Sequence, residues 1–238
     1  MNNTITVSGI EVLIERKDIK NLHLAVYPPY GMVRVAVPEH ITDDNVRLAV
    51  ISILNWIKKQ KSNFKEQPRQ SKREMLSGET HYFFGKRYRL EIIKESPKNK
   101  IKISNNKIFL YLKNDLNQEK KELLINKWYR EELKKHITIL IEKWEAIIGI
   151  KVNSWGIRKM KTKWGSCNIE KKHILINSEL AKKPFECIEY IVVHEMVHFL
   201  ERHHNDNFKF YMDKFFHNWK ISRDLLNNSP LAHENWKY

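Results

Sequence analysis

Between Val192 and His204 the sequence reads VVHEMVHFLERHH, which gathers four histidines and two glutamates into an apolar stretch. His194 and His198 are four residues apart, so on a helix their side chains differ by about 40° in azimuth and can aim ring nitrogens at one cation. Glu195 lies one step around the helix, beside such a cation rather than on it. There it can take a proton from an activated water and pass it to a leaving group. Ile191, Val192, Val193, Val197 and Leu200 bury the neighbouring faces, and two unpaired imidazoles among them would be costly without a partner. The pattern predicts a single metal ion, Zn2+ first, with other divalent transition metals open.

A catalytic zinc site takes three protein ligands and keeps one position for water. His204 is ten residues beyond His194, about 80° away if the helix ran on straight, so the chain must bend after roughly Arg202 for it to coordinate. Asn205 or Asp206 offers a helix cap that permits the bend. His203 is the competing third ligand. The spacing H-E-x-x-H-x5-H resembles that of metzincins, although Glu201 stands where they carry a glycine. The histidines outside this stretch lack metal spacing. Glu201 either orients a ligand histidine or is an exposed acid paired with Arg202.

Other side chains add less. Cys167 and Cys187 are too few for a disulfide framework, and each reads as a small buried hydrophobe rather than a nucleophile. Forty-three Lys and Arg against 28 Asp and Glu give a net charge of +15, which would concentrate polyanions, yet the charge is spread along the chain and fits a solvated surface equally well. No apolar run reaches the roughly 18 residues needed to cross a bilayer, and no export signal is visible, so the expectation is the reducing cytoplasm without membrane contact.

The elements that must position the motif can be read from periodicity. Residues 4–37 alternate as strands and suggest a meander, with PPYG at 28–31 as a turn. Thr42 caps a helix reaching to about residue 67. Strands return in THYFFGKRYRLEII and NKIKISNNKIFLYL. From Asn117 a long amphipathic helix runs to Gly149. Two β-type segments follow, KVNSWGIRKMKTKWGSCN and KHILINSEL, with NIEK between them as a turn. Then come a helix that starts with Pro184 at its first position and carries the motif, and a second helix from Asn205. The fold class is α+β: an N-terminal β-rich mixed domain over 1–115 and a catalytic domain over 116–238, its motif helix packed on a small sheet.

RKMKTKWGSCN (158–168), the strand ILINSEL and HEMVHFLERHHNDNF (194–208) together resemble the YgjP-like metal-dependent hydrolases, a zincin group related to the SprT-like and WLM metallopeptidases. VRVAVPEHIT, NWIKKQK and YFFGKRYRLEI also look like that family, so the similarity spans nearly the whole chain. The resemblance implies a zincin-like catalytic half in which His194, His198 and His204 hold zinc and Glu195 is the base. It also implies that the WGSC strand lies beside the metal cleft. There Trp164, Gly165 and Ser166 could meet an extended peptide, and Arg158, Lys161 and Lys163 could receive carboxylates or phosphates. Trp164 and Gly165 read equally as a packed aromatic and a bulge.

Three functions fit these residues. The first is a zinc hydrolase acting on peptide bonds of a peptide or protein substrate. The second is a nucleoside triphosphate pyrophosphohydrolase that uses the same metal on a nucleotide. The third is a non-catalytic basic module that docks on nucleic acid or protein and holds a structural metal.

Overall fold

The computed structural model describes residues 2–27, 30–66 and 71–230. Pro28 and Pro29 of the expected PPYG turn lie outside them. The described chain divides into two compact units, one before residue 67 and one from residue 71 onward, each with its own apolar core. The composition boundary near 115 lies within the second unit, where the sheet of residues 80–111 shares a core with the helices that follow it.

In the first unit, β1 (Asn2–Val7), β2 (Ile10–Lys17), β3 (His23–Tyr27) and β4 (Met32–Pro38) form a sheet of order β1-β2-β4-β3. This is not the meander expected from alternation, because β2 and β4 pair in parallel and β3 takes the edge. The physical reason is burial. Val12 faces Val33 and Ile14 faces Val35 across that pairing, and all four are fully buried, so the two strands that carry the enclosed side chains take the centre. The single helix expected after Thr42 is two: α1 (Asp43–Ser52), with Thr42 as its N-cap, and α2 (Leu54–Glu66), separated at Ile53 by a non-helical backbone.

The second unit opens with a sheet of order β5-β6-β8-β7, made of β5 (Thr80–Phe83), β6 (Lys86–Ile93), β7 (Lys100–Ser104) and β8 (Lys107–Tyr111). Two-residue turns with positive φ, Phe84-Gly85 and Asn105-Asn106, close its hairpins. The long helix α3 (Gln118–Ile148) starts where Asn117 accepts from the Lys120 amide at 3.0 Å and stops at left-handed Gly149. Its buried stripe of Ile125, Tyr129, Leu133 and Ile137 covers the inner face of the sheet core.

The segment after Gly149 forms three strands rather than two: β9 (Ser154–Arg158), β10 (Gly165–Asn168) and β11 (His173–Asn177), in the order β10-β11-β9. A 3-10 turn at Ser178–Lys182 leads into α4 (Phe185–Val197), which carries the histidine motif; Pro184 is its N-cap rather than its first residue. Helix α4 packs on β10 and β11 and against α3, α5 (Asp206–Phe215) and α6 (Trp219–Asn228). The molecule is therefore α+β, with the motif helix laid on a small sheet. Sequence periodicity did not announce α6. Its start lacks a side-chain cap, and its apolar residues divide between buried Trp219 and Leu226 and exposed Ile221 and Leu225.

Candidate metal centre and active-site cleft

Helix α4 ends at Val197, and His198 is its C-cap. The departure comes earlier than the bend expected after Arg202. The Phe199 amide bonds to the Met196 carbonyl and the Leu200 amide to that of Val197, so the last turn tightens and the chain turns away. It then re-enters a helix at α5, whose N-cap Asn205 accepts from the Phe208 amide at 3.0 Å. These two ends fold His204 back over the motif. His204 Nε2 stands 3.0 Å from His194 Nε2, and ring nitrogens of His194, His198 and His204 all lie within 4.8 Å of one another. His203 is not in this cluster; its amide donates to the Glu201 carboxylate.

The donor set fits a zinc ion. Tetrahedral zinc with bonds of about 2.0–2.1 Å sets neighbouring ligand atoms roughly 3.3 Å apart, close to the His194–His204 separation. Burial, with help from the two neighbouring imidazoles, drives His194 down to about 3, so it stays neutral and keeps the lone pair that a cation needs. Burial also lowers His198, against the opposing pull of its bond to Glu201. His198 Nδ1 is 3.1 Å from the Glu201 carbonyl oxygen, which fixes the tautomer with the proton on Nδ1 and frees Nε2. Glu201 thus orients the His198 ring through its backbone, while its carboxylate caps the following turn. Beneath the three rings lies buried Phe208, whose ring centroid is 5.0, 4.7 and 4.7 Å from those of His194, His198 and His204. Nothing in the sequence singled out Phe208; its signal is an apolar residue one turn into the helix that follows the last histidine.

Glu195 is buried, and burial pushes its carboxyl up to about 8, with Lys163 pulling the other way. A cation held by the adjacent histidines would oppose that rise. Glu195 also faces strand β10 at close range. A Cβ placed on Gly165 would come within 2.8 Å of both Cγ and Cδ of Glu195, so this strand position accepts glycine and nothing larger without displacing the carboxylate.

The residues before β10 are held by Asn177, which is 3 % exposed. Its side-chain amide donates to the carbonyls of Met160 at 2.8 Å and Lys163 at 2.7 Å, its side-chain oxygen accepts from the Glu179 amide at 3.1 Å, and its own amide donates to Trp164 at 2.9 Å. Sequence reading passed over Asn177, since an asparagine ending a strand looks only like a cap for the turn that follows. Trp164 is flanked by buried Lys183, whose Nζ sits 5.2 Å from the ring and donates to the Pro230 carbonyl.

The resulting cleft has a volume of about 990 Å³. Lys163, Trp164, Gly165 and Ser166 line one side, and His194, Glu195, His198 and His204 line the other. Arg158 and Lys161 are not among its lining residues: Arg158 ends β9, which β11 separates from β10. Arg202 and Arg223 line it instead, the latter from the unanticipated α6. Strand β10 is the edge of its sheet. Cys167 also lines the cleft, but burial pushes its thiol up to about 11, and Cys187 goes to about 12 for the same reason, so neither is a thiolate at neutral pH. No described helix is long and apolar enough to cross a membrane.

A search of curated proteins gives no match. Among solved structures, the metallopeptidase zymogen of Pyrococcus abyssi abylysin is 19 % identical over 41 % of this chain and 99 % of that one, with a TM-score of 0.36. The metallopeptidase zymogen of Methanocaldococcus jannaschii jannalysin is also 19 % identical, over 39 % of this chain and 93 % of that one, with a TM-score of 0.30. The sequence profile of the YgjP-like metallopeptidase domain matches residues 20–229, nearly the whole length, and on that match the chain belongs to the YgjP-like metallopeptidase family.

Proposed function

We propose that this protein is a zinc-dependent peptidase in which His194, His198 and His204 hold the metal and Glu195 is the general base. The observation that carries this reading is the convergence of three imidazole nitrogens within 4.8 Å in a cleft that Glu195 also lines. Zinc held by three histidines keeps a fourth position for solvent, lowers the pKa of that solvent toward 7 and polarises a carbonyl oxygen.

The chain's own groups supply the rest. The buried Glu195 carboxylate, set by Gly165 on one side and by its place on α4 on the other, accepts a proton and returns it to the leaving amine. The free edge of β10 offers backbone donors and acceptors to an extended polypeptide laid along the cleft. Lys163, Arg202 and Arg223 give the cleft a cationic rim that favours substrates carrying carboxylates near the scissile bond.

The test compares zinc-loaded wild type with Glu195→Gln on unfolded casein and on a panel of nucleoside triphosphates. The expected result is peptide cleavage by the wild type only, with zinc retained in both. Release of pyrophosphate from nucleotides without peptide cleavage, or an active Glu195→Gln protein, would overturn the assignment.

A further inference from the structure

The sheet β5–β8 buries one face and turns the other outward. On the buried side Leu90, Ile108 and Leu110 are fully enclosed in the core. On the outer side the register brings Tyr82 beside Arg87, Phe109 beside Lys102, and Tyr111 beside Lys100. These three aromatic residues are half-buried and stand outside the apolar core cluster, so folding of the described unit does not account for them. An outward sheet face is ordinarily polar. Here flat rings alternate with cations.

The cations belong to the rings. Lys100 Nζ is 4.7 Å from the Tyr111 centroid, Arg87 Cζ is 5.7 Å from that of Tyr82, and Lys107 Nζ is 5.9 Å from that of Phe109. Phe109 and Tyr111 lie 6.3 Å apart, centroid to centroid, along one strand, close to the spacing of successive residues on one face of a strand (~6.6 Å). Arg89 and Lys102 extend the charge, and the only acid among the paired outer-face positions of β5–β8 is Glu91, which pairs with Lys107 at 3.1 Å.

We propose that this face binds single-stranded nucleic acid, its bases stacking on Tyr82, Phe109 and Tyr111 while Arg87, Arg89, Lys100 and Lys102 receive the phosphates. An acidic polypeptide would be drawn by the same charge but has no use for a row of rings. A duplex would present phosphates but keep its bases stacked inside. Half-buried aromatic residues interleaved with cations on the outer face of a four-stranded sheet suit unpaired bases, whose flat faces stack with any sequence. DNA and RNA share this chemistry. The site is separate from the metal cleft, none of whose lining residues lie in this sheet.

The experiment measures fluorescence anisotropy of labelled oligo(dT) and oligo(U) twelve-mers against the zinc-loaded full chain over a series of salt concentrations. Binding of either is expected, with log affinity falling at a slope near −3 against log salt, as four phosphate contacts on a single strand predict. Phe109→Leu combined with Tyr111→Leu should weaken binding by about tenfold or more. Arg89→Glu combined with Lys102→Glu, both changes at exposed positions, should abolish it with the thermal melt unchanged. The dT and U arms tell DNA from RNA. Wild-type affinity in the charge-reversed variant, tighter binding of a twelve-base-pair duplex, or equal competition by polyglutamate would each overturn the proposal.

Discussion

Gly165 of strand β10 lies against the carboxyl-bearing end of Glu195 on helix α4 so closely that a single added methyl would meet Glu195 Cγ and Cδ at 2.8 Å. Ordinary Cβ contacts are longer than 3.4 Å, so Gly165→Ala must push the carboxylate out of place. The three clustered histidines are untouched. The expected outcome is a loss of kcat of about a hundredfold or more with metal content unchanged, since displacing a positioned base by an ångström removes most of its contribution. Steady-state kinetics alongside zinc analysis checks both halves.

Asn177 binds five backbone groups outside the strand pairing while almost wholly buried. Asn177→Ala leaves the carbonyls of Met160 and Lys163 unpaired and should destabilise the protein by about 2–4 kcal/mol, measured by urea denaturation. Because the freed segment carries Lys163 and Trp164 into the cleft, KM should rise as well.

Phe208 packs under all three imidazoles. Phe208→Ala opens a void there and loosens the rings, so zinc affinity in a chelator competition should fall by roughly tenfold, the lower end of what outer partners of metal ligands contribute. An unchanged affinity would mean that the helix ends alone hold the rings in place.

Much of this site could be read from spacing, and the parts that could not have identifiable causes. His194 and Glu195 sit within α4 and His198 caps its end in helical backbone, where residue spacing fixes geometry, and α3 announced itself through Asn117 and Gly149 at its ends. The approach of His204 depends on a helix end at Val197 that no glycine marks. The first sheet's order turned on which strands bury their side chains fully rather than on which were adjacent in sequence. Gly165, Asn177 and Phe208 act through contacts between distant elements, and a local pattern carries no record of those. Arg158 and Lys161 illustrate the converse: near neighbours of Gly165 in sequence, they are not among the residues that line its cleft.

His81 lies 4 % exposed, and no hydrogen bond reaches its Nε2. Burial first, then the nearby Arg73 charge, lowers its pKa to about 4 despite Glu79 at 3.4 Å. Between 6.5 and that value the unfolded chain takes up a proton that the folded one refuses, so stability must fall as the pH drops through this window. The contribution is at most about 3 kcal/mol. Denaturant melts at pH 7 and pH 5 should show the loss in wild type and a smaller one in His81→Leu.

The central claim, three imidazoles on one zinc with a position left for solvent, is tested most directly by X-ray absorption at the zinc edge of the loaded protein. The account predicts one zinc per chain, three nitrogen ligands at about 2.0–2.1 Å and one further light atom from solvent, with binding lost in His204→Ala. A sulfur at about 2.3 Å, four protein ligands, or full occupancy in His204→Ala would contradict it.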